Sequence, residues 1–550
     1  MKENHTIKWL WRTTGRKKGY IFALTLIQGA AGVIGVIYAL LFRAIVDSAV
    51  GKQQEAFWHN VMLIIGLVLI QLGISALIRR LHELAKTDIE NTFKQRLLDN
   101  ILCKEYSAVS SRHTAEWLNC LTSDTSVVAG GAVEILPGLV GTVVRLVSAL
   151  VMIIALDRWF AYILIPGGIA MVLLTYAFRG VLKRLHKNIQ ESDGRLRVYL
   201  QEHISNLMVI KAFASEKQTA EGAASAMAEH KSAILRRNSF SNAANFGFGA
   251  SMQGMYLIGM IYCANGIMNG NVTYGTLSAI IQLIGQVQGP FASISGYLPR
   301  WYAMTASAER LMEIEVFADD GQVADRDTMQ RYYDNELVSF GFRSAAFTYP
   351  SAGGEDMPAV LRGLDLEIHK GETVAFTGQS GCGKSTVLKL LMCMYPLDSG
   401  ERFIDGRELS AYHRSLFAYV PQGNALMNGT VRDVVCFAWE CDDERLRRAL
   451  VISCADGFAD DVDTELGERG SGLSEGQMQR LAIARAIYAD APVLLLDEST
   501  SALDEDTERR LLENLRGMTD KTVIIVTHRK AALSICDRVL QFTETGAVEI

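Results

Sequence analysis

Gly378-Gln379-Ser380-Gly381-Cys382-Gly383-Lys384-Ser385 is the stretch on which the reading of this chain turns. A strand-like run, residues 372–376, leads into it, and a helix-like run, residues 386–394, follows. Strand, glycine-rich loop and helix in that order spell a phosphate-binding loop. The glycines let backbone N–H groups close on phosphate oxygens, and the start of the next helix adds positive potential. In that arrangement Lys384 reaches the β- and γ-phosphates and Ser385 holds Mg2+.

A second motif lies downstream. Val493-Leu494-Leu495-Leu496-Asp497-Glu498 is an apolar run ending in two acids. Such a run suits a buried parallel strand, and α/β proteins place ligands at the C-terminal ends of those strands. Asp497 is expected to bind Mg2+, and Glu498 to orient or deprotonate an attacking water.

Between the two motifs stands Leu473-Ser474-Glu475-Gly476-Gln477. Here the chain resembles the ATP-binding cassette (ABC) transporters, and the resemblance covers nearly its whole length. The segment is similar to the family signature Leu-Ser-Gly-Gly-Gln, with Glu475 in place of the first glycine. By the same resemblance Tyr349 is the aromatic that stacks on adenine. Gln379, Ser380, Cys382 and Thr386 join Gly378, Gly381, Gly383, Lys384 and Ser385 around the phosphates. Gln422, in Tyr419-Val420-Pro421-Gln422, is the glutamine that senses Mg2+ and couples to the membrane domain. Ser501-Ala502-Leu503-Asp504 is the loop that crosses the nucleotide-domain dimer, and His528 is the γ-phosphate switch. The resemblance implies catalytic roles for Glu498, His528 and Gln422, metal contacts from Ser385, Gln422 and Asp497, and ATP with Mg2+ as cofactors. It also implies a head-to-tail dimer, in which Lys384 of one chain and Ser474 of the other contact the same nucleotide, with Gly476, Gln477 and Asp504 as further nucleotide-binding residues.

At 550 residues the chain has room for more than one domain. Hydrophobic residues make up 49% and charged residues 21%, which taken alone is close to soluble averages. The average hides a division, because the long apolar runs all fall in the first ~300 residues. Six of them approach membrane length: 19–42, 57–78, 133–156, 160–178, 246–268 and 276–298. The first is too long for a cleavable leader and lacks a cleavage site. Basic residues crowd the N-terminus and the connections after the second and fourth runs, and are nearly missing from the alternate connections. That asymmetry puts both termini and the nucleotide domain on the cytoplasmic side. The net charge of −6 gives no reason to propose nucleic acid as a partner.

The expected fold is a membrane all-α six-helix transmembrane domain with long cytoplasmic helical extensions (residues 1–315), a solvated acidic linker (316–336), and an α/β P-loop NTPase domain of ABC type (337–550). Residues 79–106 and 178–239 carry helical periodicity. They resemble the long intracellular helices of exporter-type members, with coupling helices in 111–118 and 199–205. Thr464-Glu465-Leu466-Gly467-Glu468-Arg469-Gly470 resembles a loop of the same class.

Charged and polar residues inside spans mark structure or function. Glu134 and Arg145 share a helix face but stand roughly 16 Å apart along the axis, so they cannot pair. Glu134 is expected to serve structure. Arg145 either contacts an anionic or polar substrate group or bonds a neighbouring helix or chain. Asn242, Asn245, Gly249 and Gln253 form one stripe, and Ser278, Gln282, Gln286, Gly289 and Ser293 another. These fit either close helix packing or a polar pathway. Met252, Met255 and Met260 suit apolar lining, or else an adaptable substrate surface. The nine cysteines show no zinc-like spacing, and most fall on the cytoplasmic side, where disulfides are rare.

The resemblance thus implies a half-transporter in a bacterial inner or plasma membrane, surrounded by lipid and paired with a second half-transporter chain, identical or not. The expected activity is ATP-driven export of a lipid, a peptide, or a hydrophobic or amphipathic small molecule. Import on the same architecture and a nucleotide-gated channel or regulator are the alternatives.

Overall fold

The computed structural model describes residues 2–350, 357–423, 426–437, 439–459, 461–467, 472–543 and 546–550. Side chains are not described for 2–4, most of 159–179, and 183, 248, 252, 255, 288, 291, 292, 294 and 295. Glu468, Arg469 and Gly470 therefore lie outside the described residues, as do the side chains of Met252, Met255 and most of the expected span 160–178.

The chain forms two compact units, Met1–Lys94 with Thr122–Glu309, and Gln95–Leu121 with Arg310–Ile550. The helices of its first half are α1 (Lys2–Thr14), α2 (Lys18–Val50), α3 (Gln54–Cys103), α4 (Tyr106–Ser110), α5 (Thr114–Asn119), α6 (Thr125–Leu156), α7 (Arg158–Ser205), α8 (Leu207–Ala212), α9 (Glu216–Met268) and α10 (Tyr274–Glu313). Each expected span falls inside one long helix. Among the described residues, the stretches His5–Val50, Gln54–Cys103 and Thr114–Leu156 are long and apolar enough to cross a membrane.

Within the first unit, small residues set the tightest approach. A Cβ added to Gly32 on α2 would sit 2.9 Å from the Gly141 carbonyl oxygen on α6, and one on Gly141 would sit 3.1 Å from that of Gln28. Helices without a hydrophobic drive between them pack through such close backbone contacts. Asp47 on α2 caps α10, accepting from the Gly275 N–H at 2.9 Å and the Thr273 hydroxyl at 3.1 Å. Glu134 pairs with Arg300 across α6 and α10, a structural role.

α7 and α9 meet through polar contacts instead. Ser192 Oγ lies 3.1 Å from His230 Nδ1, Arg195 bonds Glu229 at 2.6 Å, and the Tyr199 hydroxyl donates to the Thr219 carbonyl at 3.1 Å. Gly222 makes room for that tyrosine, since a Cβ there would fall 2.2 Å from its hydroxyl. Residues 199–205, expected to be a coupling helix, are the last turns of α7. Asn206 leaves helical geometry at φ −106° and ψ 27°, so the short separate helix is α8.

The second unit adds α11 (Arg326–Asn335) and then a mixed α/β fold. Its strands are β1 (Ser339–Phe347), β2 (Leu361–His369), β3 (Thr373–Gly378), β4 (Ser399–Ile404), β5 (Arg407–Glu408), β6 (Phe417–Val420), β7 (Gly429–Thr430), β8 (Glu465–Leu466), β9 (Val493–Asp497), β10 (Thr522–Val526), β11 (Arg538–Thr543) and β12 (Gly546–Glu549). The later helices are α12 (Lys384–Leu391), α13 (Val431–Cys436), α14 (Asp443–Ile452), α15 (Glu475–Ala489), α16 (Glu505–Arg516) and α17 (Lys530–Leu533). The main sheet runs β12-β11-β3-β10-β9-β6, parallel except for the β11–β12 hairpin. β9 and β10 are buried along their whole length, which explains their unbroken apolar sequence.

The acidic stretch 316–336 is largely exposed but tied down at several points, and its second half is α11. Arg414 grips Asp320 (Nη2–Oδ1 2.9 Å), Lys104 bonds Asp319 at 2.6 Å, and Asp325 caps α11 through the Thr328 N–H at 2.8 Å. The expectation against disulfides also fails at one place. Cys436, ending α13, is joined to Cys441, just before α14, with their Cα atoms 5.4 Å apart.

The glycine contact gives a stability test. Gly32→Leu forces a side chain against the Gly141 backbone and is expected to cost about 1–3 kcal/mol, read as a lower Tm in nanodiscs. Gly66→Leu, with nothing within 4 Å of its Cβ position, is expected to melt with wild type.

Candidate functional site

The site is built at the C-terminal edge of β3, β10, β9 and β6. β3 enters the phosphate loop through Gly378 at φ 134°, and Gly381 and Gly383 follow at 86° and 95°. These left-handed geometries favour glycine. A Cβ at Gly378 would also strike the Phe542 carbonyl oxygen at 2.4 Å. Gln379, Ser380 and Gly381 are exposed, Cys382 is half-buried, and Gly383 is the residue from which α12 starts. Lys384 is buried, and its ammonium donates to the carbonyls of Gly378 at 2.7 Å and Gln379 at 2.9 Å.

The acids end β9. Asp497 is 1% exposed and accepts from Ser385 Oγ at 2.8 Å and from the Tyr419 hydroxyl at 3.0 Å. Burial pushes its carboxyl above the ordinary value and the Glu498 charge adds to this, while the two hydroxyls pull the other way. Burial and Asp497 raise the Tyr419 phenol in turn, so it stays a neutral donor. Glu498 sits at φ 49°, and its Oε2 accepts from Gln422 Nε2 at 2.8 Å. Thr386, buried in α12, shares a hydrogen bond of 3.1 Å with the Tyr349 hydroxyl. Tyr349, the loop from Gly378 to Thr386, Gln422, Asp497 and Glu498 are thus collected at one edge. His528 lies exposed two residues beyond β10 on the same edge.

A second cluster surrounds the start of α15. Ser474 caps that helix reciprocally with Gln477, at 3.2 Å and 2.8 Å. Gly476 abuts the loop after Glu498, since a Cβ there would meet the Ala502 carbonyl oxygen at 2.8 Å. Gln479 holds that loop with two bonds, to Ser501 Oγ at 3.0 Å and from the Ala502 N–H at 3.1 Å. Asp504 caps α16 through the Thr507 N–H at 2.9 Å. Arg529, next to His528, donates to the carbonyls of Leu503 and Ser501 at 2.8 and 2.6 Å and to Glu508 at 2.9 Å. Sequence reasoning missed Tyr419, Gln479, Arg529 and Glu508. Their only available signal was position, inside a motif for Tyr419 and within four residues of one for the others. Among the described residues no hydrogen bond joins Ser474 or Gln477 to the phosphate loop.

Comparison with known proteins matches this arrangement. The family model of the ABC transporter transmembrane region covers residues 21–291, and that of the ABC transporter covers 361–501. The chain belongs to the ABC transporters. It carries one membrane region and one nucleotide-binding domain, so it is a half-transporter, a membrane protein whose ATPase is coupled to transport. The chain is 26% identical over 572 residues to an ATP-dependent lipid A-core flippase of Mannheimia succiniciproducens, covering 98% of this chain and 93% of the relative. It is 27% identical over 569 residues to the Shigella sonnei protein of the same name, covering 99% and 94%. Its fold superposes on a bacterial Atm1-family ABC exporter with ATP bound, with a TM-score of 0.79 at 21% identity, covering 98% and 95%.

The raised Asp497 carboxyl sets a stability test. A folded pKa above the unfolded one favours the folded state in acid, and that gain is lost as pH rises towards neutrality. Asp497→Asn removes the buried charge and keeps an acceptor. Without nucleotide it is expected to melt at or above wild type at pH 7.5, read by thermal shift.

Proposed function

We propose that two copies of this half-transporter, or this chain and a close relative, move an anionic amphipathic lipid outward across a membrane. The substrate class is carried by the full-length likeness to lipid A-core flippases. Arg145, exposed on the apolar helix α6, supports it, because a guanidinium at membrane depth needs an anionic or polar partner. Among the described residues no ion pair involves Arg145.

Tyr349 stacks on adenine, and the loop from Gly378 through Thr386 cradles the phosphates. Lys384 exchanges its two carbonyl partners for phosphate oxygens. Ser385 Oγ and Asp497 Oδ1, 2.8 Å apart, are paired hard oxygens of the kind Mg2+ takes, with Gln422 beside them. When bound, Mg2+ neutralises charge on the phosphates. Glu498, released from Gln422, orients and deprotonates the attacking water, and His528 contacts the γ-phosphate. Ser474, Gly476, Gln477 and Asp504 act on the partner chain's nucleotide, which supports a dimer. The apolar surface around α8 supports it too, with Met208 86% and Phe213 79% exposed. The distribution of basic residues supports cytoplasmic termini and a cytoplasmic nucleotide domain. ATP drives the cycle by binding the closed dimer more tightly than the open one.

The deciding experiment is the ATPase rate of this chain alone in lipid nanodiscs. Glu498→Gln is expected to lower it by about 100-fold or more, and activity in wild type alone would establish homodimeric sites. In proteoliposomes ATP is expected to drive a fluorescent anionic lipid outward, and Arg145→Ala to slow that movement at unchanged basal ATPase. Inward movement would replace export by import. Arg145→Ala transporting at the wild-type rate would remove the substrate contact.

A further inference from the structure

Tyr395 follows α12 in Met394-Tyr395-Pro396 and is 8% exposed. Its ring meets Tyr349 edge-on at 5.3 Å and Tyr106 of α4 edge-on at 5.6 Å, with Phe347 at 5.6 Å behind it. Its hydroxyl lies 3.4 Å from Ser110 Oγ, at the other end of α4. Tyr349 is bonded in turn to Thr386 of the phosphate loop. A continuous aromatic line therefore runs from the base end of the nucleotide site to α4, through one buried residue. It does not pass through Gln422.

The line is anchored at both ends. Arg402 donates to the Tyr395 carbonyl at 2.8 Å, and Arg414 donates to the Met392 carbonyl at 3.0 Å, so the turn carrying Tyr395 is fixed to the nucleotide fold. α4 is tied to the chain leaving α10. Glu105 N–H bonds the Ala318 carbonyl at 3.1 Å, Asp320 N–H bonds that of Cys103 at 2.8 Å, and Lys104 bonds that of Phe317 at 2.7 Å. Trp117 of α5 donates to the Val109 carbonyl at 3.0 Å and packs on Phe317. Segments 103–119 and 313–320 thus form one packed block. Tyr395 touches this block from the nucleotide side, as the Arg414–Asp320 pair does.

We infer that Tyr395 is a positioning residue that couples nucleotide held at Tyr349 to α4. This rests on the reading of Tyr349 as the adenine-stacking residue. Edge-to-face rings have preferred geometries. A base stacked on Tyr349 restrains that ring, Tyr395 passes the restraint on, and α4 is held against the closed nucleotide fold. Packed neighbours with discrete arrangements are the physical means of such coupling, and it must be demonstrated by measured coupling.

The test uses the full chain in proteoliposomes, with Tyr395→Leu, Tyr395→Phe, Tyr106→Ala and the double variant Tyr395→Leu/Tyr106→Ala. Three readouts are taken: kcat and KM for ATP, ATP-driven movement of a fluorescent anionic lipid, and the change in tryptic cleavage of the membrane half on trapping with ATP and vanadate. Tyr395→Leu is expected to keep basal kcat and KM within about twofold, lose about tenfold in lipid moved per ATP, and lose the trapping-dependent change in cleavage. Tyr395→Phe keeps the rings and is expected to behave as wild type, and the double variant is expected to be no worse than either single. Lipid movement and cleavage changes like wild type in Tyr395→Leu would overturn the inference. So would an effect confined to a raised KM, which marks a support for Tyr349 alone. A wild type that moves no lipid but still changes its cleavage on trapping would reject the substrate class, while the cleavage readout would continue to test Tyr395.

Discussion

The register of three parallel strands governs the nucleotide end of this molecule. Val526 of β10 pairs with Phe376 of β3 on one side and Asp497 of β9 on the other. That single alignment brings Gly378, Glu498 and His528 to one edge, although more than a hundred residues separate the first two in sequence. The strands are buried on both faces, so a slip would bury polar ends or expose apolar ones. Once the edge exists, the remaining contacts are short. Ser385 finds Asp497, Gln422 finds Glu498, and Arg529 reaches back to the Ser501–Leu503 loop.

The helical unit uses two kinds of packing. α2 and α6 approach through glycine, where backbone meets backbone and little can slide. α7 and α9 meet through Ser192, Arg195, Tyr199 and their partners, and this pair carries α8 at its tip. Polar contacts hold a register by direction as well as by contact area, and they can be exchanged for water without opening an apolar gap.

Much of this was legible in the residues. The loop, the acidic pair and the signature announce themselves because each function needs particular atoms at fixed short spacing. The six long helices follow from apolar length. What was not legible is contact over long separation. Nothing local to Tyr106, Tyr349 or Tyr395 says that the three rings touch, and nothing in the acids at 319 and 320 says that Lys104 and Arg414 await them. Resemblance alone puts a coupling helix at 199–205, and the chain there is still α7. Asn206 ends α7 without a glycine or proline to mark the break. The Cys436–Cys441 pair escaped because spacing was read for metal ligands and the compartment argued against disulfides. Cys436 ends α13 and Cys441 lies two residues before α14, and the fold brings the pair together regardless.

Glu475, the one departure within the signature, has a local explanation. It is the first residue of α15 and is exposed there, where the positive end of the helix dipole favours an acid. The next position has no such freedom, because any side chain at Gly476 would strike the Ala502 carbonyl oxygen. Of the two central positions in the motif, the substitution therefore falls on the one that faces solvent. The glycine that packs against the loop after Glu498 is kept. Its lack of a side chain lets the start of α15 pack closely on the loop that follows the acids.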